Sequence, residues 1–469
     1  MSLRKIILYV VILAILIGSA PYFTGYLAQI KFQDMVTIFS DIETLPVNID
    51  ILEYHRGWRA SYAKTRVTLF ARTTLEKPNN FSFILEHDIR HGPFVQLHND
   101  NYKDWRFARA VIYSQLYLTD KAKEILKTEL GDTELLNLNS QINIDGAVDI
   151  DIQGKALQLK EHAGTNRSAW QGMKGHWHLN FDMKNLTGEM LFPGFDFDLN
   201  GIHYDARNII YEVDLIRTPD NLWPGKVVMN VESFNTSQGP TNTPLNITGL
   251  TANVVATTHD TMFDFAGLVH VATIFSHQKQ YGPMDYMYSL KNIDAHAIVS
   301  YFDLRQKMRL ASPSEQINYY RSMFALIPEI LKYQPEFSVD KFQIHTEAGD
   351  IQGKVHMVMG GNDVQQPQQI VQSIVANMQL ILPKSTFRDL LQYQYSQQPL
   401  LPNQTAQDQT QQINQRINDS ITHWLQDNTL IEKDQNYIIN ANFQDGKFTV
   451  NGQAQALPQV PWSGAGAGH

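Results

Sequence analysis

The uncharged run from Ile6 to Ala20, IILYVVILAILIGSA, directly after Arg4-Lys5, constrains this chain more than any other feature. Tyr22-Phe-Thr-Gly-Tyr-Leu27 prolongs it toward the roughly 20 apolar residues that a membrane helix needs. A cleaved export signal and a retained anchor compete here. Gly18 and Ala20 are small enough for a processing site, whereas Pro21 just beyond them fits one poorly. Tyr22, Phe23 and Tyr26 have the character of an interfacial aromatic belt. The sequence therefore predicts a retained single-pass anchor with its ends at Ile6 and Leu27. The basic pair stays cytoplasmic and everything after about Lys31 lies on the far side. No later stretch of sequence is long and apolar enough to span again.

Beyond the anchor the chain is globular rather than disordered, its whole sequence having 43% hydrophobic and 18% charged residues. A net charge of −9 gives no basic footprint for nucleic acid. Cysteine is absent, which excludes disulfides, thiolate metal sites and cysteine nucleophiles, and suits folding in an oxidising compartment.

Period-two alternation dominates the exported part. It is seen in Trp177, Leu179, Phe181 and Met183, in Phe195, Phe197 and Leu199, and in Tyr286, Tyr288 and Leu290. Asp145-Gly146 and Asp445-Gly446 separate such runs and suit type I′ hairpin turns, so antiparallel pairing is expected. The fold class is α+β and predominantly antiparallel β. Elongated, twisted or curved sheets carry a few packed helices, and one transmembrane helix precedes them. Residues 31–39 should continue the anchor as an amphipathic stalk. Thr119 to Leu126 should be helical behind an N-cap threonine. Ser312-Pro313 starts a helical region from Ser314 to Tyr333, whose Ile317, Tyr320, Phe324 and Ile327 should face the sheet, with a break at Pro328.

These signals divide the chain into a cytoplasmic tip and anchor (1–27) and a β-rich periplasmic domain (28–395), as one body or two sub-domains, with a helical segment near 301–333. A Gln-rich linker (396–415) and a C-terminal helix, hairpin and frayed tail (416–469) complete it. Asp151-Ile-Gln-Gly-Lys155 recurs as Asp350-Ile-Gln-Gly-Lys354, and ordinary turn chemistry explains the echo better than a duplication.

Chemistry-bearing motifs are sparse. No Gly-x-Ser-x-Gly elbow occurs, and Gly349 to Val355 lacks the glycine spacing and the Ser/Thr of a phosphate loop. His176 and His178 point the same way on a strand but lack a third ligand at a convincing spacing, so no metal is expected. His87 and His91 are the catalytic-base candidates, without a nucleophile paired to them by pattern. No cofactor and no catalytic residue is assigned. Two polar knots stand out instead. In Tyr54-His-Arg-Gly-Trp58, Arg56 and Trp58 flank Gly57, which permits a sharp bend; Arg56 is either a corner residue or the binder of an anionic headgroup or of an acidic partner residue. In His91-Gly-Pro-Phe94, Gly92-Pro93 is a turn signature that aims Phe94.

Tyr-Phe-Thr-Gly25, Tyr54-His-Arg-Gly57 and His91-Gly-Pro-Phe94, with Phe324-Ala-Leu-Ile-Pro328 and Gly446 to Gln453, carry a resemblance. In their order and spacing the chain resembles the YdgA-like family of Gram-negative bacteria. The resemblance implies an inner-membrane-anchored periplasmic protein and implies no reaction, the family being one of unknown function. Two function classes remain on the sequence. The expectation is a non-enzymatic binding or scaffolding protein of the cell envelope, its partners the inner membrane and an envelope protein or lipid. The alternative is a carrier that binds or transfers a hydrophobic ligand in a curved β-sheet groove; a hydrolase comes third. A continuous apolar trough would favour the carrier and a closed core the scaffold.

Overall fold

The computed structural model describes residues 3–42, 47–70, 80–96, 105–117, 135–160, 167–199, 202–238, 244–276, 279–360, 367–396 and 406–455, apart from the side chains of 3–17 and of a few segment ends. The helix expected over Thr119 to Leu126 and the C-terminal tail lie outside the described residues. So do the side chains of the apolar run up to residue 17. Among the described residues, no helix is long and apolar enough to cross a membrane. The chain divides into two compact units, Met1–Pro244 and Leu245–His469.

The first unit opens with one helix, α1 (Leu3–Asp41), which runs on through Pro21. Its strands are β1 (Val47–Arg56), β2 (Ala60–Phe70), β3 (Asn80–His91), β4 (Phe94–Gln96), β5 (Trp105–Leu116), β6 (Leu136–Asn143), β7 (Val148–Gly154), β8 (Leu157–Lys160), β9 (Arg167–Trp170), β10 (Met173–Leu179), β11 (Asn185–Leu199), β12 (Ile202–Ile216) and β13 (Gly225–Gln238). Every pairing is antiparallel, in the order β1-β2-β3-β5-β6-β7-β10-β11-β12-β13. Strand β4 lies on β5, and β9 joins β8 to β11.

The stretch expected to be a stalk is instead the centre of this unit's core. Ala28, Phe32, Met35, Val36 and Ile38 recur at helical spacing, and α1 lays that stripe on Ala63, Ile89, Ala110, Ile112, Ile142, Val148 and Leu179. Full burial of a side chain such as Phe32 or Ile38 is worth roughly 1.5–3 kcal/mol, which is why the stripe does not stay in water. The anchor end at Leu27 thus falls inside a continuous helix.

Two other expectations are corrected in this unit and at the hairpins. The alternation through Met183 ends as a strand at Leu179: Met183 takes a left-handed φ of 60° in a turn, and Phe181 is exposed. At Asp145-Gly146 only the glycine is left-handed, and Gly146 N–H donates to Asn143 O, so this is a type I turn closed by a glycine bulge. Asp445 and Gly446 both have positive φ, as type I′ requires.

The second unit contains β14 (Leu245–His259), β15 (Met262–Ser276), β16 (Lys279–Tyr281), β17 (Met284–Asp294), α2 (Ala295–Leu310), α3 (Pro313–Ala325), α4 (Ile327–Leu331), β18 (Glu336–Thr346), β19 (Gly349–Val358), α5 (Pro367–Gln372), β20 (Val375–Pro383), α6 (Lys384–Ser396), α7 (Ala406–Gln426), β21 (Ile431–Lys433), β22 (Asn436–Gln444), β23 (Lys447–Val450) and β24 (Gln453–Gln455). Its antiparallel order is β14-β15-β17-β18-β19-β20-β22-β23-β24. Asp294 caps α2 by accepting from Ala297 N, and a Ser312–Glu315 capping box starts α3. The helical region breaks at Leu326, just before Pro328. The expected packing of α3 on the sheet is not what forms: Ile317, Tyr320 and Phe324 are exposed, because α3 contacts α2 and α4 rather than a strand. The Gln-rich linker is also shorter than expected. From Ala406 the chain is helix α7, since glutamine is a good helix former and Ile413, Ile417, Ile421 and Trp424 supply a stripe that packs with Leu391 of α6 and Tyr437 of β22.

Candidate functional site

The three motifs that stand apart in the sequence meet at one junction between α1 and the sheet. Gly57 N–H donates to Ala60 O at 2.9 Å, and a Cβ at Gly57 would lie 2.6 Å from that oxygen, so only glycine closes the β1–β2 corner. Gly92 is tighter still: its Cβ would fall 1.7 Å from Ala108 O. Across the Gly92-Pro93 turn, Gly92 N–H donates to Arg109 O (2.7 Å) and Ala108 N–H to Pro93 O (3.0 Å), which lays β4 on β5. The helix is pinned to this corner. Thr24 Oγ1 donates to Gly92 O at 2.9 Å, and the backbone at Gly25 presses on the His91 ring, leaving no room for a Cβ.

His91 itself is buried, with Nε2 2.8 Å from Ser61 Oγ and Nδ1 3.3 Å from Trp58 O. Burial lowers its pKa. Arg56 reaches from the end of β1 to the helix. Its guanidinium lies 5.1 Å from the Tyr22 ring centroid and 5.5 Å from that of Tyr26, and it donates to Tyr22 Oη and Gln29 Oε1. Trp58 Nε1 donates to Gly18 O at 3.2 Å, the Tyr54 ring sits 5.8 Å from Phe32, and Phe94 is exposed against Phe107. Tyr54, Arg56, Trp58, His91 and Gly92 therefore clamp α1 directly, Gly57 closes the corner that presents them, and Pro93 and Phe94 lead from it onto β5.

The other base candidate, His87, is wedged between two hydroxyls, with Nε2 2.8 Å from Thr65 Oγ1 and Nδ1 2.7 Å from Ser114 Oγ. Burial pushes its pKa down to about 4, so the ring is neutral at pH 7 and donates through one nitrogen while accepting through the other. The distances would suit a base and a nucleophile. Both hydroxyls, like Ser61, are buried, so these pairs serve as polar rivets between β2, β3 and β5. Sequence reasoning missed Ser61 and Ser114 because Ser114 becomes the partner of His87 only through strand register. His176 and His178 are each taken by their own carboxylate, Asp151 at 2.8 Å and Asp149 at 2.7 Å. Among the described residues, no group of three or more metal-binding side chains gathers.

The second unit holds a different kind of site. Register places Val254, Phe265, Val269, Tyr286, Tyr288, Phe342, Val355, Met378, Leu380, Ile439 and Phe443 on one face, from β14 to β22. The opposite face carries His270, Asp285, Lys341, Gln343, His345, Asp350, Lys354 and Gln379. These pair across strands, and Lys341 and His270 hold the Asp285 carboxyl below its ordinary value, as His345 does for Asp350. A sheet this two-faced ordinarily buries its apolar side under a second layer. Here the helices come after the strand ends, α2 beside Ile293 and α6 beside Leu382, both of which are buried. Between them, among the described residues, Val254, Phe265, Tyr286, Tyr288, Phe342 and Val355 are only partly buried and Met378 is exposed. Tyr286 and Tyr288 stack at 5.3 Å, and Tyr288 takes the space left by Gly267, where a Cβ would meet its ring. This contiguous, partly buried apolar row is a candidate interaction surface. In the first unit, Phe195, Phe197 and Tyr204 form a similar half-exposed ladder on β11 and β12, beyond the part of the sheet that α1 covers.

A family model described as a bacterial protein of unknown function (DUF945) matches residues 3–458. No curated protein and no solved structure matches the chain.

Proposed function

This chain belongs to the DUF945 family of bacterial proteins of unknown function, and from that premise we propose that it is a membrane-tethered, non-enzymatic protein that binds an acyl-chain ligand on the open apolar face of its second unit. The observation that carries the reading is the row through Phe265, Tyr288, Phe342 and Val355, which stays only partly buried among the described residues and which a hydrophobic ligand would cover. The tether is the run from Ile6 to Leu27, and the likeness to YdgA-like periplasmic proteins supports its retention at the inner membrane. A tethered domain keeps such a face close to its lipid source. This makes hydrophobic-ligand binding the leading function, ahead of the scaffold expected from sequence. The scaffold keeps one specific support, the exposed Ile317, Tyr320 and Phe324 on α3, a helical stripe of the kind that seats in a protein groove.

A photoactivatable fatty acid, incorporated into the membranes of cells carrying the full chain, tests both. Adducts on β15, β17 and β18 support the lipid reading. Adducts confined to α1 would sink it, and protein cross-links through α3 alone would favour the scaffold.

A further inference from the structure

The clamp constrains how the first unit meets a membrane. Because α1 is one helix from Leu3 to Asp41 and is fastened to the sheet from Gly18 onward, no linker separates the apolar run from the folded unit. Gly18 lies only about 18 Å along the helix from Ile6 at a rise of 1.5 Å per residue, whereas a hydrocarbon core is about 30 Å thick. Tilting the helix shortens its reach across the bilayer further. Any register that keeps Arg4-Lys5 in the far headgroups therefore carries Trp58, bonded to Gly18, into the near leaflet.

The surface at that level has the matching chemistry. Trp58, Phe94, Trp105 and Phe107 are 58%, 66%, 64% and 61% exposed, an unusual cluster for a surface in water. They lie together, since the Trp58 carbonyl meets His91, three residues before Phe94, and Phe94 pairs with Phe107. Phe23 on α1 is exposed near the same corner, and Arg59, next to Trp58 in the chain, is exposed as well. Clustered exposed aromatic bodies are what the membrane interface selects.

We propose that Trp58, Phe94, Trp105 and Phe107 form a rim that seats the first unit in the near leaflet of the bilayer, with Arg59 reaching toward anionic headgroups. The proposal rests on the reading of α1 as a membrane tether. The rim turns the anchor from a leash into a rigid mount, which fixes the height and orientation of this unit.

The full chain reconstituted into phosphatidylethanolamine–phosphatidylglycerol vesicles with brominated acyl chains tests this by quenching of tryptophan fluorescence. Bromines on the acyl chains should quench the wild-type protein, and the W58F/W105F variant should lose most of that quenching while floating with the vesicles as before. Trp105→Phe alone, which leaves the bond to Gly18 intact, should lose part of it. A floating protein whose tryptophans are not quenched, or whose quenching survives W58F/W105F, would overturn the rim and leave the tether standing. A dimer in which a second copy covers these tryptophans would overturn it too. A chain that fails to float with the vesicles would overturn both.

Discussion

Gly25→Ala separates what helix propensity alone predicts from what the clamp predicts. In an isolated helix the substitution should stabilise by about 1 kcal/mol, because alanine loses less backbone entropy. In this fold the new methyl would stand 2.3 Å from His91 Nδ1 and 2.4 Å from its Cε1. The ring cannot swing aside freely, since Ser61 Oγ and the Trp58 carbonyl hold its two nitrogens. If the helix shifts outward, the overpacking costs about 1–3 kcal/mol. If the ring yields, the Ser61 hydroxyl is left buried without its partner, at about 1–3 kcal/mol. Against the propensity gain of about 1 kcal/mol, the net expectation is a loss of about 1 kcal/mol, or a fall of about 2–4 °C in Tm for a unit of this size. Gly18→Ala is the control, because nothing lies within 4 Å of its added Cβ, and it should leave Tm unchanged or raise it. Thermal unfolding of both variants in the same detergent, followed by tryptophan fluorescence, reads the difference. Equal stability of the two would refute the close packing of α1 on His91.

Phe32→Ala should cost about 3–5 kcal/mol, since the side chain is fully buried between Tyr54 and His87; a loss under about 1 kcal/mol in denaturant unfolding would mean that α1 is not part of the core. His87, with its folded pKa lowered to about 4, binds fewer protons in the folded state than in the unfolded one between pH 4 and 6.5. Its contribution is full above about pH 6.5 and is lost as the pH falls toward 4, at most about 3 kcal/mol. Tm measured from pH 7.5 to 4.5 should therefore drop less steeply in His87→Gln than in the wild type. Arg56→Ala should lower stability by about 1 kcal/mol, through the lost contacts with Tyr22 and Tyr26, and should leave fatty-acid labelling of the second unit unchanged; normal stability with lost labelling would make Arg56 a binding residue.

Much of the architecture was legible because strand character is local. Period-two runs such as Tyr286 to Leu290 and Phe195 to Leu199 became strands, since each side chain needs only its own sheet face to be specified. Glycine and proline marked the corners at Gly57 and Gly92 for an equally local reason, the close approach of backbone to Ala60 O and Ala108 O. The helices show where local pattern stops. Ala28, Phe32 and Met35 on α1 and Ile317, Tyr320 and Phe324 on α3 are similar apolar stripes, yet the first is buried in a core and the second is exposed. The partners of His91 and His87 were equally hidden, because strand register brings up Ser61 from 30 residues away and Ser114 from 27. A sequence determines by itself which side of an element is apolar. Whether another element covers that side depends on segments far along the chain: the tertiary structure buries the sheet beneath α1, whereas among the described residues the face around Tyr288 stays only partly buried.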